Sequence, residues 1–435
     1  MKVKKVILLM LAIVILAGGY IVTNKRKLEY VSDFKYIYNY MGNNYPNFYR
    51  NGTKDWLNHK EEFLKLIKDS KNDEEFLNNM NNILYRLNDM HVYMYNKETL
   101  LNLFNLNKWS DIGYKTLKRY GISQEEINKQ NEKKFKVGHS FRNNKKNLIV
   151  ASIVPGKVGY IRLREMLNYE LTIVENLKIK HKKNKIVRKD EKVLVDFLKE
   201  IQNYDSLVID LRDNPGGNYL YVSHFFLPTI TGNSKCEEIV YKFTRKEEEA
   251  KKCKEIFERY RCCDTDEIGS VTNKNLEKIK REVPALEDEK LYKDIEDNFK
   301  NYVKITYKTG ESLNNSLAFK GKIYVLINKN SASCADKFSR IVKINNIGTL
   351  VGERTAGDGE VTTTYKVLPK TKFVMGNITT LDLVKGLNLE DSKVVIPDIY
   401  VLDSTYRIKE TENGLDFSQD KLIKKVLDLE GYHLK

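Results

Sequence analysis

Leu207-Val208-Ile209-Asp210-Leu211-Arg212-Asp213-Asn214-Pro215-Gly216-Gly217 is the stretch on which the fold turns. Its opening residues form a continuous apolar run broken only by Asp210, the pattern of a strand buried on both faces. Asn-Pro-Gly-Gly then ends the strand. These residues are good turn formers. Paired glycines after a buried strand also let a backbone approach a ligand and aim its N–H groups into a cleft.

A second buried strand, Ile323-Tyr324-Val325-Leu326-Ile327, lies downstream, followed by Asn328 to Ala332, a helix from about Cys334 to Ile344, and Gly348 to Val351. This is a β-α-β unit, and its strand-to-helix junction is where α/β proteins place chemistry. Ser333 stands at that junction. A serine there gains exposure of its hydroxyl, the positive end of a helix, and nearby backbone N–H groups able to receive an oxyanion. On position alone, a serine that caps the helix is the more common explanation.

Upstream, Leu148 to Val154 and Val158 to Leu163 read as short strands separated by Pro155-Gly156, with a helix from about Lys192 to Ile201. Residues 30 to 90 read as helices. Asn72 with Glu75 makes a capping signature, and Phe76, Met80, Ile83, Leu84 and Leu87 follow at helical spacing. His91 comes next, before a strand-like Val92-Tyr93-Met94-Tyr95. Residues 96 to 148 are polar and read as a linker or small insert. Residues 236 to 315 are rich in Lys and Glu and read as an inserted helical subdomain overhanging the core.

The chain has 435 residues, 41% of them hydrophobic, enough for a globular body of more than one packed unit. Its formal charge of +16 would suit an anionic partner. The lysines, however, are spread along the whole chain and no nucleic-acid motif accompanies them, so a specific nucleic-acid partner is not expected. The densest basic run, Lys178 to Lys189, reads as a solvated face. Lys2, Lys4 and Lys5 precede the apolar run Val6 to Val22, and Lys25, Arg26 and Lys27 follow it. That run is at the short end of the roughly 17–25 residues that span a bilayer, and no small-x-small cleavage site closes it. An uncleaved single-pass membrane anchor with an extracellular body is expected, or a secreted body if the segment is cleaved. Of five cysteines, Cys236, Cys253, Cys262 and Cys263 fall in one segment, where an external location permits disulfides. Unpaired thiols are the alternative. Their spacing does not suit a zinc site.

Taken together, several blocks resemble the family of carboxy-terminal-processing (tail-specific) peptidases, the tricorn core and interphotoreceptor retinoid-binding protein. The residues are Asp210 to Gly217, Ser331-Ala332-Ser333, and Val351-Gly352-Glu353-Arg354-Thr355-Ala356-Gly357-Asp358-Gly359, with Val158 to Leu163 and Ile396-Pro397-Asp398-Ile399. The resemblance implies an α/β fold with a crotonase-like β/α core and Ser333 as nucleophile. It also implies an oxyanion hole from Gly216 or Gly217 and the N–H of Cys334. In the processing branch the general base is a lysine, and Asp358 stands at its position here. The tricorn-like branch uses a histidine ahead of the core and a glutamate before the Pro-Asp block. His91 matches the histidine. For the carboxylate, gapless spacing selects Asp391 and residue type selects Glu390. Either could hold the imidazole tautomer that accepts the serine proton.

The expected organisation is an anchor or signal at 1–27, an N-terminal helical domain at 28–95, a linker at 96–148, and a peptidase core at 149–235 and 316–405. The helical insert occupies 236–315 and a tail 406–435. The expected function is a serine endopeptidase acting on peptides or protein tails outside the membrane, with neither metal nor organic cofactor. A catalytically inactive binding protein on the same fold is the alternative.

Overall fold

The computed structural model describes residues 24–89, 91–96, 98–99, 146–167, 170–174, 178–182, 185–232, 236–258, 263–310, 317–357, 364–402, 408–411 and 414–433. The anchor residues 6 to 22, most of the 96–148 linker, Cys262 and Asp358 lie outside them. Among the described residues no helix is long and apolar enough to cross a membrane. The chain divides into two compact units, one of residues 1–141 with 361–379, the other of 142–360 with 380–435.

The first unit is built on helices at 24–44, Lys60–Lys68 and Asp73–Tyr85. The Asn72 side chain accepts from the N–H of Glu75 at 2.9 Å, and the Glu75 carboxylate accepts from the N–H of Lys71 at 3.0 Å. One N–H that the helix start leaves orphaned, that of Glu75, is thereby satisfied, together with the N–H of the residue before the cap. Phe76, Met80, Ile83 and Leu84 bury the inner stripe of that helix against Tyr30, Phe34 and Trp56. Tyr30 stacks on Phe76, and the Trp56 indole donates to the Ile83 carbonyl at 2.9 Å. A three-stranded antiparallel sheet, in the order Tyr93–Tyr95, Val374–Asn377, Thr364–Val367, completes the unit. Residues 361–379, expected in the peptidase core, thus cluster with the helices instead. Leu368, Phe373 and Met375 supply their apolar contacts, and Asp33 accepts from the N–H groups of Lys370 and Thr371.

Among the described residues, ten strands form the two larger sheets of the second unit. They are β1 (Leu148–Val154), β2 (Val158–Leu163), β3 (Ser206–Asp210), β4 (Glu237–Thr244) and β5 (Cys263–Ser270). After these come β6 (Asn301–Lys308), β7 (Lys322–Ile327), β8 (Thr349–Gly352), β9 (Thr380–Val384) and β10 (Ile399–Tyr400). The central sheet has the order β10-β8-β7-β3-β2-β1, parallel from β10 to β2, with β1 antiparallel at one edge. One face packs Ile161, Ile209, Val325 and Ile327 against helices Lys185–Glu200 and Cys334–Ile344. The other packs Tyr160, Val208, Leu326 and Val351 against helix Lys421–Glu430. Covering on both faces is what the apolar runs of β3 and β7 require. The last helix was expected only as tail. Leu422, Ile423, Val426 and Leu427 make it a layer of the core, each fully buried residue worth roughly 1.5–3 kcal/mol.

The insert 236–315 is not the helical subdomain expected from its composition. Three of its strands join β9 in an antiparallel sheet of order β9-β4-β6-β5, with helices Glu247–Glu258, Asn273–Lys280 and Glu289–Asn298 between them. The composition misleads because β4 keeps Glu238 and Lys242 inside, ion-paired, so polarity no longer reports exposure. Cys236, Cys253 and Cys263 are buried, and no disulfide joins them to one another.

Candidate active site

Ser333 sits where β7 has ended and the helix Cys334–Ile344 begins, with φ 53° and ψ −117°. Few non-glycine residues adopt positive φ. Such a conformation costs on the order of 1–3 kcal/mol and persists only where its surroundings over-determine it. They do so here from both sides. The Ser333 N–H donates to Gly357 O at 3.0 Å, and its carbonyl accepts from the N–H of Lys337 at 2.9 Å. Ala332 N–H donates to Asn214 O, Ala356 N–H to Ser331 O, and the Ser331 hydroxyl to Leu211 O at 2.8 Å. Ser331 is therefore a buried strut. Ser333, by contrast, makes no side-chain cap bond to its helix, which removes the capping explanation for it. Its side chain is half-buried.

The glycine turn lies against this serine. A Cβ on Gly216 would fall 2.6 Å from Cys334 N and 2.8 Å from Ser333 Cβ, and φ of +92° bars other residues as well. The two glycines have different roles. Gly216 N–H donates to Asn214 Oδ1 at 2.8 Å and so is already used. Gly216 O accepts from Met166 N–H at 2.9 Å. Because the next peptide is trans, its N–H, that of Gly217, points the opposite way, away from Met166. The amides of Gly217 and Cys334 have no acceptor among the described residues. The Cys334 thiol donates to Gly217 O at 2.8 Å, and burial pushes its pKa up to about 11. It stays a thiol at neutral pH.

Asn214 was not singled out from the sequence, yet it organises the turn. It is fully buried, holds Gly216 through Oδ1, and donates from Nδ2 to Leu163 O at 2.9 Å. Asn328 does the same for the facing loop, accepting from the N–H groups of Asp213 and Asn330, both at 3.1 Å. The only sequence signal for either is an Asn in the turn that follows a buried strand, a common turn residue. Beneath the turn, Arg212 bridges Asp210 and Asp420 at 2.7 Å each, and Tyr160 donates to Asp210 at 2.8 Å. Burial pushes the Asp210 carboxyl up, but Arg212 outweighs this and holds it below the ordinary range.

Glu390 and Asp391 occupy the short helix Leu389–Lys393 of the same unit. Asp391 is nearly buried and its Oδ1 accepts from Lys343 Nζ at 2.8 Å and from the N–H of Ile396 at 3.2 Å. Glu390 is exposed, and its carboxylate has no hydrogen-bond or ion-pair partner among the described residues. Their segment is tied to the helix Cys334–Ile344 through Thr355, which exchanges backbone and side-chain bonds with Val395 and donates to Asp336 at 2.5 Å.

His91 belongs to the first unit, two residues past Asp89, whose Oδ1 accepts its N–H at 3.0 Å. Asp89 is itself held by the Tyr45 hydroxyl at 2.9 Å. Burial lowers the His91 pKa below the usual histidine value, opposed in part by Asp89. The ring is thus neutral at pH 7, the state a general base needs. Among the described residues no group of three or more His, Cys, Asp or Glu could hold a metal ion.

The model of peptidase family S41 matches residues 157–401. Among solved structures, a putative peptidase from Parabacteroides merdae is 14% identical, with 92% of this chain and 95% of that chain covered and a TM-score of 0.49. Mature CPAF complexed with lactacystin is 13% identical, with coverage of 86% and 94% and a TM-score of 0.48. The photosystem II D1 C-terminal processing protease is 12% identical, with coverage of 86% and 92% and a TM-score of 0.38. No curated protein matches.

Proposed function

The chain belongs to peptidase family S41, and from that premise we propose that it is a serine endopeptidase cleaving peptides or protein tails through an acyl-enzyme on Ser333. The observation that carries the reading is the strained Ser333, its hydroxyl not spent on the helix and the amides of Gly217 and Cys334 left without acceptors. In the reaction Ser333 Oγ attacks the scissile carbonyl carbon while His91 takes its proton. The carbonyl oxygen becomes an oxyanion received by the Gly217 and Cys334 N–H groups. The leaving amine takes the proton back from His91, and water repeats the sequence on the acyl-enzyme.

Glu390 is the better candidate to orient the second imidazole nitrogen, because Asp391 already serves Lys343 and Ile396. Asp358 replaces the lysine of the processing branch and a carboxylate cannot act as that neutral amine, which is why the base is assigned to His91. Hydrolysis of an unfolded polypeptide by wild type and by His91→Ala tests the base: full activity in the variant would exclude His91 and point to another base, whereas no hydrolysis by wild type would leave the binding-protein reading.

The body works outside the cytoplasmic membrane, held by residues 6 to 22. That rests on their apolar run between two basic flanks. Retention in the membrane fraction through a high-salt wash supports it. A mature N-terminus beyond Val22 would mean a cleaved signal and a secreted enzyme.

A further inference from the structure

The helix that begins at Cys334 carries three charged residues on its buried side. Asp336, Lys337 and Arg340 are 1%, 6% and 5% exposed, and they meet Glu238 of β4, which is 0% exposed. Lys337 Nζ lies 2.7 Å from Glu238 Oε2 and 3.1 Å from the centre of the Tyr307 ring. Arg340 Nε lies 3.2 Å from Glu238 Oε1 and 3.6 Å from Asp336 Oδ2. Two acids and two bases make the set neutral, and the acyl transfer described above uses none of them.

Stability alone does not account for such a cluster. Desolvating buried ions can outweigh their attraction, and apolar residues of similar volume are often as stable or more so. What ion pairs add is a preferred alignment: buried opposite charges meet at one register of the helix on β4, and sliding would leave a charge buried without its counter-charge, whereas an apolar contact tolerates sliding. The register matters here because Lys337 is one turn from the nucleophile and its own N–H holds the Ser333 carbonyl. Asp336, in turn, is bonded to Thr355, and Thr355 to Val395, in the segment that follows Glu390.

We propose that Glu238, Lys337, Arg340 and Asp336 are positioning residues. They fix the helix Cys334–Ile344 against β4, and so place Ser333 Oγ and Cys334 N–H opposite Gly217. This rests on the serine-peptidase reading, since the placement matters for that chemistry. It also gives the inserted sheet a task, because β4 is the wall against which the nucleophile is registered.

The test is the double variant Glu238→Gln/Lys337→Met, which removes one acid and one base and leaves Asp336 and Arg340 balanced. Three quantities are read: Tm, the rate of acylation by a fluorophosphonate, and amide hydrogen exchange over residues 331–334. Expected are a Tm close to wild type, faster exchange at 331–334, and acylation slowed about 10- to 100-fold, the scale of a misplacement on the order of 1 Å. For a peptide substrate kcat falls more than KM rises. Wild-type acylation together with wild-type exchange in a folded double variant overturns the proposal. Should that variant not fold, the isosteric Asp336→Asn decides in its place by the same readouts. A wild-type enzyme that no fluorophosphonate labels would sink the peptidase reading by itself, and unchanged exchange in the variants would then overturn the register proposal separately.

Discussion

Replacing Gly217 by alanine introduces one methyl group at the point where the glycine turn passes Met166. An ideal Cβ there lies 2.1 Å from Met166 O and 2.9 Å from its carbonyl carbon, with φ of +131°. Both neighbours are backbone, so no side chain can rotate out of the way. The methyl must recede from 2.1 Å to an ordinary contact of about 3.4 Å, a shift of about 1.3 Å that carries the Gly217 N–H with it. Loss of one oxyanion donor typically costs a factor of 10²–10³ in kcat, about 2.7–4 kcal/mol of transition-state stabilisation. An interaction made only in the transition state leaves ground-state binding intact, so KM should change by only a small factor. Backbone strain at such a position adds on the order of 1–3 kcal/mol of destabilisation. Purified wild type and Gly217→Ala should be compared for kcat and KM on an unfolded polypeptide, with Tm measured in parallel. A Gly217→Ala enzyme that is folded and retains wild-type kcat would refute the assignment of this amide to the oxyanion hole.

The remaining expectations concern the base and its carboxylate. Because burial lowers the His91 pKa, the neutral imidazole persists to lower pH than in a free histidine, whose pKa is about 6.5. Activity should therefore be flat through neutrality and fall with acid at a midpoint below that value; a pH–rate profile of kcat/KM still rising above pH 8 would contradict a histidine base. Glu390→Gln should cut kcat strongly with little change in Tm, since its carboxylate supports no structure. Asp391→Asn should instead lower Tm by breaking the Lys343 and Ile396 contacts. Reversal of that pair of outcomes in activity assays and thermal melts would move the orienting role to Asp391.

Much of the second unit could be read before any coordinates, and the reason is physical. β3 and β7 are buried on both faces, so their apolar runs state both their type and their environment. The helix Cys334–Ile344 occupies the expected span, because its apolar stripe and its position after a short loop are both local signals. β4 defeated the same reading. Glu238 and Lys242 are buried through pairing with partners distant in sequence, and hydropathy periodicity has no term for that. At the site, Ser333 and the paired glycines stand out locally and His91, Glu390 and Asp391 come from the family resemblance, but the choice between Gly216 and Gly217 comes from neither. It depends on Asn214 taking one amide and Met166 turning the other, contacts that exist only once the chain is folded. Likewise the difference between Glu390 and Asp391 lies in Lys343, far away along the chain.

The most direct measurement is fluorophosphonate labelling of the wild-type protein followed by peptide mapping, with Ser333→Ala alongside. Stoichiometric modification of Ser333, with loss of both labelling and hydrolysis in a Ser333→Ala protein of unchanged Tm, is the expected result. Hydrolysis that persists at the wild-type rate in Ser333→Ala, or a label that maps to another residue, would contradict Ser333 as the nucleophile.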